Sequence, residues 1–322
     1  MQHAILTLIR HAETTGNLNR LLQGITDSPV TVFGQSQIDA LARTWATTLQ
    51  NDGNESSSRL NLPPPTLIVC SPIGRARKTA EAVHRACNSA PHSNAGVLEH
   101  VLTDRSTTRS HTAAERHNQE ALALIVDPGL AEKDFGWKES TRGGVHITGY
   151  PKGHGAGESR SEFLQRVQRV GAEWLNAASS LASSDSIADK AAKVPHIVLV
   201  SHGMWISTFL SAHPPTCITQ VSGQPGFLPF AANTGMFCLK VQPSVEAVKG
   251  ETKPITELFR ANDTRHLANV KRQKGGIGRG AFDAKQLKLS SFFGHQQARN
   301  TDSVDSKDDA SIEGSPTKKR KM

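Results

Sequence analysis

An arginine and a histidine stand side by side directly after an apolar run near the start of the chain. Arg10 and His11 follow residues 4–9, Ala-Ile-Leu-Thr-Leu-Ile, which are typical of a short buried strand. A guanidinium offers a rigid fork of donors to phosphate oxygens, and an imidazole is a nucleophile or base near neutral pH. Because ligands of open α/β sheets bind at the carboxyl ends of strands, the pair indicates a phosphate site. The alternative is an ordinary surface turn.

Four short blocks along the chain carry residues suited to binding a phosphate. They are 10–34, which begins Arg-His-Ala-Glu-Thr and includes Asn17, Gln23-Gly24 and Asp27-Ser28-Pro29-Val30-Thr31; 71–80, Ser-Pro-Ile-Gly-Arg-Ala-Arg-Lys-Thr-Ala; 130–137, Leu-Ala-Glu-Lys-Asp-Phe-Gly-Trp; and 198–203, Val-Leu-Val-Ser-His-Gly. In content and order they resemble the histidine phosphatase superfamily, phosphoglycerate-mutase-like branch, in a fungal-type member. The chief departure is Ala12, where glycine is commoner in that family, and a small residue is kept there.

Phosphoryl transfer to a side chain needs a nucleophile, groups that neutralise the phosphate and an acid for the leaving oxygen. His11 is the predicted nucleophile, and the resemblance implies that it becomes phosphohistidine. Arg10 and Arg75 are predicted to clamp the phosphate, because their planar forks match pairs of its oxygens. Glu132 is predicted to protonate the leaving oxygen and then to deprotonate the attacking water.

A second group of residues is predicted to complete the phosphate pocket. His202 lies between a strand and a helix, and the helix that follows at Gly203 presents free N–H groups to an anion. His202 is therefore a candidate phosphate donor, with a purely structural histidine as the alternative. Asn17, Gln23 and Gly24 are expected to contact the phosphate or the rest of the substrate.

Two of these assignments have competitors nearby in the sequence. Arg77 competes with Arg75 for the phosphate, and Glu139 competes with Glu132 for the proton transfers; in both cases the resemblance favours the residue named first. Glu13 and Glu158 could be mistaken for catalytic acids, but helix-start or loop roles suit them better. No His, Cys, Asp or Glu cluster has metal-ligand spacing, so no metal or other cofactor is predicted.

The sequence after the third block bears on the reaction type. Mutases of the family have a distinctive sequence there, which residues 138–144, Lys-Glu-Ser-Thr-Arg-Gly-Gly, do not resemble. We therefore predict a metal-independent phosphatase that acts on a phosphorylated small molecule or a phosphoprotein. One alternative is a phosphoglycerate mutase. The other is a binding protein that uses the phosphatase fold as a scaffold.

Apolar runs alternate with helical patterns along the chain and define the elements that must position these residues. Their order predicts a three-layer α/β sandwich, with a mainly parallel sheet covered by helices on both faces. The predicted strands are 4–9, 66–70, 196–201 and 235–241, and the predicted helices are 34–49, 74–90, 158–182 and 205–212. Residues 51–65 are expected to form a surface insertion, 91–127 a surface region with a helix near 112–126, and 143–157 a flexible Gly-rich loop at the site.

Charge divides the chain into two parts. The net charge is +8, and residues 263–322 contain 13 Lys and Arg against 7 Asp and Glu, so most of the excess lies in the C-terminal part. This predicts a histidine phosphatase domain at 1–262 that does not bind nucleic acid directly, followed by a basic, largely disordered tail at 263–322. No apolar run is long enough for a membrane span, and the N-terminus does not resemble a secretion signal.

The tail carries two short signals for partners. Residues 286–293 place Gln286, Leu289, Phe292 and Phe293 in the spacing that resembles the sliding-clamp-binding box of DNA replication and repair proteins. A short helical turn would present the three apolar side chains as a plug for a DNA sliding clamp. The basic run 318–321 resembles a nuclear import signal, so the expected location is the nucleus, the cytoplasm or both.

Overall fold

The strands of the fold meet in one mixed sheet, whose order sets where the site residues lie. The computed structural model describes residues 2–49, 60–88, 122–183, 194–219, 230–243, 253–274 and 276–285. Its helices are α1 (Thr15–Leu18), α2 (Val32–Leu49), α3 (Gly74–Asn88), α4 (Arg160–Ser183) and α5 (Gly203–Ala212). Its strands are β1 (Ala4–Arg10), β2 (Leu67–Cys70), β3 (Ala123–Val126), β4 (Thr141–Arg142), β5 (Val145–His146), β6 (His196–Ser201), β7 (Cys217–Ile218), β8 (Met236–Gln242) and β9 (Ile255–Asp263).

Within the described ranges, seven strands pair in the order β3-β2-β6-β1-β8-β9-β7, and β4 and β5 form a separate hairpin. The four strands from β3 to β1 are parallel, whereas β8 runs antiparallel to both β1 and β9. Arg10 at the end of β1 lies beside Ser201 at the end of β6. The residues that follow these parallel strands therefore emerge at the same edge of the sheet, which is where the predicted site belongs.

Alternate side chains of β1 point to opposite faces, and each face has its own core. Leu6 and Leu8 pack in a cluster with α4 and α5 that includes Trp174 and Phe209. Ile5 and Ile9 pack in a second cluster with α2 and α3 that includes Trp45, Ala80 and Cys87. This arrangement confirms the predicted α/β class and the mainly parallel sheet between helical layers.

Several details differ from the sequence prediction. The helix expected near 112–126 is wrong at its end, because Ala123–Val126 forms an edge strand parallel to β2. A short apolar run cannot be assigned to helix or strand from periodicity alone, and neighbouring β2 decides the outcome. The end of the expected surface insertion is also buried, since Leu60 and Leu62 join the cluster around Trp45. Strand β9 was not foreseen.

The Gly-rich segment begins as a hairpin. Gly143 and Gly144 connect β4 to β5, and both have positive φ angles, 58° and 83°. Two successive residues of positive φ match the twist of a tight hairpin and strain any residue with a β-carbon. The hairpin pairs Thr141 with His146 and Arg142 with Val145, shortly after the third sequence block.

The first compact unit of the chain continues past residue 262 and ends at Phe282. Residues 264–274 and 276–282, named here the strap, include short 3₁₀ helices at Arg265–Leu267 and Ile277–Arg279. The second unit comprises Asp283–Met322, and the clamp-box-like segment 286–293 and the basic run 318–321 lie outside the described residues. In the ranges that are described, no helix is long and apolar enough to cross a membrane.

Candidate active site

His11 lies just beyond the end of β1 and is almost fully buried, with 3% of its surface exposed. Its Nδ1 is 2.7 Å from the carbonyl oxygen of Ala12. Because a carbonyl can only accept, Nδ1 carries the proton, and Nε2 is left with its lone pair. Burial first, and then the charges of Arg75 and Arg10, hold the pKa of His11 well below its usual value. The imidazole is therefore neutral at physiological pH, as a nucleophile must be.

Arg75 lies against this lone pair. Its Nε is 3.3 Å from His11 Nε2, and its two terminal nitrogens donate to the carbonyl oxygens of Gly24, at 2.6 Å, and Thr26, at 2.8 Å. Asp27 adds an ion pair at 3.5 Å. Only 1% of Arg75 is exposed, so its guanidinium is fixed by the 24–27 loop with one edge toward the nucleophile.

Arg10 and His202 bring further donors to the same place. Arg10 Nη1 donates to the carbonyl of Ala231 at 2.7 Å, while the buried Arg10 Nε has no partner among the described residues. The ring of His202 is 5.2 Å from the ring of His11, centroid to centroid. His202 Nε2 shares a 2.8 Å hydrogen bond with Ser71 Oγ, and its buried Nδ1 likewise lacks a partner among the described residues. Unsatisfied buried groups are costly, so these two nitrogens favour a bound polar ligand.

Gly203 begins α5 beside Arg10. A β-carbon at Gly203 would lie 3.3 Å from Arg10 Nε, which is tighter than most real contacts. Glycine therefore lets the guanidinium lie close to the first turn of α5, where N–H groups and cations together favour an anion.

Glu132 is buried near the N-terminus of α5. Its two carboxylate oxygens accept hydrogen bonds from the backbone N–H groups of Lys133 and Met204, each at 3.0 Å. Burial raises the pKa of Glu132 above its usual value, although these N–H groups and the arginines act in the opposite direction. A raised pKa suits a carboxyl group that must hold a proton before it is given to a leaving group.

The loop that carries Glu132 is fixed from behind by α4. Arg166 donates to the backbone carbonyls of Gly129, Ala131 and Glu132, at 3.0, 2.8 and 3.3 Å. It also binds the carboxylate of Glu158 through two hydrogen bonds of 2.8 Å. Glu158 thus has a loop role, as predicted. The sequence does not reveal the role of Arg166, because nothing distinguishes it from any other arginine on a helix surface.

Glu139 and Arg77, the alternatives to Glu132 and Arg75 in the sequence, have other contacts. Glu139 is fully buried, and its carboxylate accepts from the backbone N–H groups of Gly24, Ile25 and Phe135 at 2.9 to 3.0 Å. Glu139 therefore holds the backbone of the loop whose Gly24 and Thr26 carbonyls bind Arg75. Arg77 is half exposed on α3 and lies 3.7 Å from Glu81.

The neutral candidates line the loop after His11. Asn17 Oδ1 accepts from the backbone N–H of Thr14 at 3.1 Å, and Gln23 Oε1 is 2.8 Å from Thr14 Oγ1. Their amide oxygens therefore shape this loop, which leaves the amide nitrogens as the groups that could reach a ligand. Asn233 was missed, and its Nδ2 donates to the carbonyl of His11 at 2.9 Å.

An open cavity of about 540 Å³ adjoins this loop. Leu22 is part of its wall and lies two residues before Gly24, whose carbonyl binds Arg75. Three cations and no acid are among the residues that line the cavity: Arg20, Leu21, Leu22, Lys138, Thr141, Arg142, Gly143 and Gly144. A search of the described residues finds no group of three or more His, Cys, Asp or Glu that could hold a metal ion.

Comparison with known proteins identifies the family. The family model for the histidine phosphatase superfamily (branch 1) matches residues 6–216, which include every residue of the site described above except Ala231 and Asn233. The chain belongs to the histidine phosphatase superfamily.

Individual relatives are more distant. A Klebsiella pneumoniae subsp. pneumoniae protein named "Probable phosphoglycerate mutase GpmB" is 28% identical over 169 residues, which are 52% of this chain and 61% of that protein. The protein of the same name from Escherichia coli O1:K1 / APEC is 35% identical over 160 residues, 50% of this chain and 58% of that protein. The chain thus spans about three fifths of the length of these relatives.

A solved structure named "Mycobacterial hydrolase 1" aligns with 81% of this chain and 99% of its own, at 19% identity and a TM-score of 0.50. At this identity the likeness concerns the fold.

Proposed function

We propose that this protein is a phosphomonoester hydrolase that works without a metal, through a phosphohistidine on His11. The strongest support is that Arg10, Arg75 and His202 surround the neutral imidazole of His11. Arg10 Nε and His202 Nδ1 are buried and have no partner in the described part of the chain. A tetrahedral dianion would satisfy these donors together. The cations of the chain itself then neutralise the phosphate, which is the task that a metal performs in other phosphatases.

In the first step, the lone pair of His11 Nε2 attacks the phosphorus atom and the bond from phosphorus to the ester oxygen breaks. The proton on the carboxyl group of Glu132 passes to the leaving alkoxide. The hydrogen bond from Nδ1–H to the Ala12 carbonyl keeps Nε2 aimed at the phosphorus and stabilises the positive charge that develops on the ring. Arg10 and Arg75 stabilise the negative charge on the oxygens of the phosphoryl group as it is transferred.

In the second step, the Glu132 carboxylate takes a proton from water as the water oxygen attacks the phosphohistidine. The phosphorus–nitrogen bond breaks, orthophosphate leaves and the Nε2 lone pair is restored. Glu132 ends the cycle protonated, ready to act as an acid again. Glu132 thus gives its proton to the ester oxygen in the first step and takes a proton from water in the second.

A mutase of phosphoglycerate is the second candidate, because the curated relatives reported above carry that name. The test incubates the full chain in excess chelator, either with p-nitrophenyl phosphate or with a phosphoglycerate and its bisphosphate cofactor. ³¹P NMR then follows the release of orthophosphate. We expect phosphate release from the aryl ester at an undiminished rate in chelator. Phosphoryl isomerisation faster than phosphate release would replace the hydrolase with a mutase, and activity restored only by a divalent metal would contradict metal independence.

The cationic cavity beside the site supports a preference for phosphomonoesters with a second anionic group. We expect Arg142→Ala and Lys138→Ala each to lower kcat/KM for such substrates about fivefold, because a partly exposed charge pair contributes about 1 kcal/mol. Hydrolysis of p-nitrophenyl phosphate should stay unchanged. Initial rates with phosphosugars and their carboxylated or bisphosphorylated counterparts measure this, with Arg43→Ala on α2 as the control. Equal losses on both kinds of substrate would contradict the preference.

A further inference from the structure

The strap lies against the loop that follows the candidate nucleophile. Phe282 N–H donates to the carbonyl of Val30 at 2.8 Å, and Val32 N–H donates to the carbonyl of Gly280 at 3.0 Å. Thr31 and Ala281 form a β-bridge between these two bonds. The polar composition of this segment predicts no structure of its own, so its order comes from pairing with the 30–32 loop.

Arg272 makes the strongest side-chain contact between the strap and that loop. Its two terminal nitrogens lie 2.9 and 2.5 Å from the two carboxylate oxygens of Glu13. Its guanidinium carbon is 4.2 Å from the centroid of the Phe33 ring. Nη1 also donates to the carbonyl of Gly278, within the strap, at 3.2 Å. A bidentate, stacked guanidinium of this kind fixes geometry as well as charge.

Glu13 passes this constraint to the nucleophile, which is two residues earlier in the chain. The backbone N–H of Glu13 donates to Gln37 Oε1 at 2.9 Å, and its carbonyl accepts from the N–H of Thr31 at 3.0 Å. The carboxylate also accepts from Thr31 Oγ1 at 2.8 Å. The backbone from His11 to Glu13 is therefore fixed at one end by β1 and at the other by the Glu13 side chain, which is bound to Arg272.

The strap also reaches the other side of the Arg10-His11 pair. His266 Nε2 is 2.9 Å from Thr234 Oγ1. The N–H of Thr234 donates to the carbonyl of Arg10 at 3.0 Å, and Thr234 has a φ of 58°, which is strained for a β-branched residue. A residue kept in such a conformation needs its surroundings to hold it there.

We propose that Arg272, in the strap, is a positioning residue for His11, acting through Glu13. The proposal rests on the proposed phosphotransfer at His11. The strap lies outside residues 6–216, the range that the family model matches. Whatever displaces the strap should reduce the rate of phosphoryl transfer while substrate binding persists, because a shift of about 1 Å in a reacting atom costs up to about 10²-fold.

The test compares four full-length proteins: wild type, Arg272→Ala, Arg272→Lys and Lys271→Ala. Lys271 is the matched control, since it is an exposed cation one residue away. We expect kcat for p-nitrophenyl phosphate to fall about tenfold in Arg272→Ala with KM unchanged, and to recover in part in Arg272→Lys, which keeps the charge but loses the fork. Lys271→Ala should match wild type. Circular dichroism and thermal unfolding show the folded fraction at the assay temperature.

Two inhibitors separate positioning from folding. Vanadate adopts the five-coordinate geometry of phosphoryl transfer, so its affinity depends on the position of His11 Nε2. The affinity for inorganic phosphate depends on Arg10 and Arg75 alone. We expect Arg272→Ala to bind vanadate about tenfold more weakly than wild type by calorimetry, with phosphate affinity unchanged.

The outcomes are distinguishable. A wild-type kcat and vanadate affinity in Arg272→Ala, or equal losses in Lys271→Ala, overturns the role of Arg272. The same follows if the activity lost matches the fraction of protein unfolded. If wild type itself neither turns over the ester nor binds vanadate, the proposed function fails, and the strap proposal falls with it.

Discussion

Replacing His11 with alanine is expected to abolish phosphomonoester hydrolysis, with a fall in kcat of at least about 10⁴-fold, the scale seen when a covalent nucleophile is removed. The loss follows from the geometry, because the ring of His11 is neutral and its Nε2 carries the lone pair, which lies beside Arg75. Arg10, Arg75 and His202 remain in the variant, so phosphate should still bind. The effect therefore belongs to kcat, and initial rates over a range of p-nitrophenyl phosphate concentrations measure it.

A matched control for this variant is His213→Gln. His213 caps the end of α5, half-buried, with its Nε2 3.0 Å from the carbonyl of Gln168, which a glutamine amide can also reach. We expect its kcat to stay at the wild-type value. Alkaline quenching followed by mass spectrometry should find a phosphoryl group on wild type and on the control, and none on His11→Ala. Turnover by His11→Ala within tenfold of wild type would refute His11 as the nucleophile.

The identity of the site could be predicted from sequence because it depends on residue types that follow strands. The apolar runs of β1 and β6 are continuous, so both strands could be found, and the polar residues after them had to meet at one edge of the sheet. The choice between Arg75 and Arg77 is different in kind. Both lie on α3, and only the tertiary structure shows that Arg75 turns inward to the carbonyls of Gly24 and Thr26.

The parts that sequence reasoning missed depend on partners far away in the chain. The resemblance favours Glu132 over Glu139 as the acid, but only the structure shows that Glu139 binds three backbone N–H groups. The sequence of the strap resembles a basic tail because its order comes from the 30–32 loop and from Glu13, more than two hundred residues earlier. β9 mixes apolar and polar residues without strict alternation, so its sequence does not predict a strand, and pairing with β8 decides its structure.

Replacing Glu132 with glutamine should separate the two chemical steps, because they make different demands on the carboxyl group. An alkoxide leaving group needs a proton from Glu132, so we expect kcat for an alkyl phosphate to fall by about 10²- to 10⁴-fold. The p-nitrophenolate group leaves without a proton. Its release should therefore survive, while the second step, which needs Glu132 as a base for water, becomes slow.

The expected signature is a burst. Stopped-flow measurements with p-nitrophenyl phosphate should show about one nitrophenolate released per molecule of Glu132→Gln, followed by slow turnover, as covalent catalysis requires when its second step is limiting. Phosphorylated His11 should accumulate and be recovered after an alkaline quench. Glu173→Gln is the control, since Glu173 lies on the exposed side of α4 beside Arg169, and it should behave as wild type.

Stability must be measured alongside, since the substitution also alters a buried contact. Both oxygens of Glu132 accept backbone N–H groups, and an amide nitrogen can accept from neither. The lost hydrogen bond should lower the free energy of unfolding by about 1 to 3 kcal/mol. A folded variant that loses alkyl and aryl phosphate turnover equally, with no burst, would show that Glu132 supports the fold of the site and does not transfer protons. A burst confined to the aryl ester assigns both proton transfers to this carboxyl group, and excludes Glu139 as the acid.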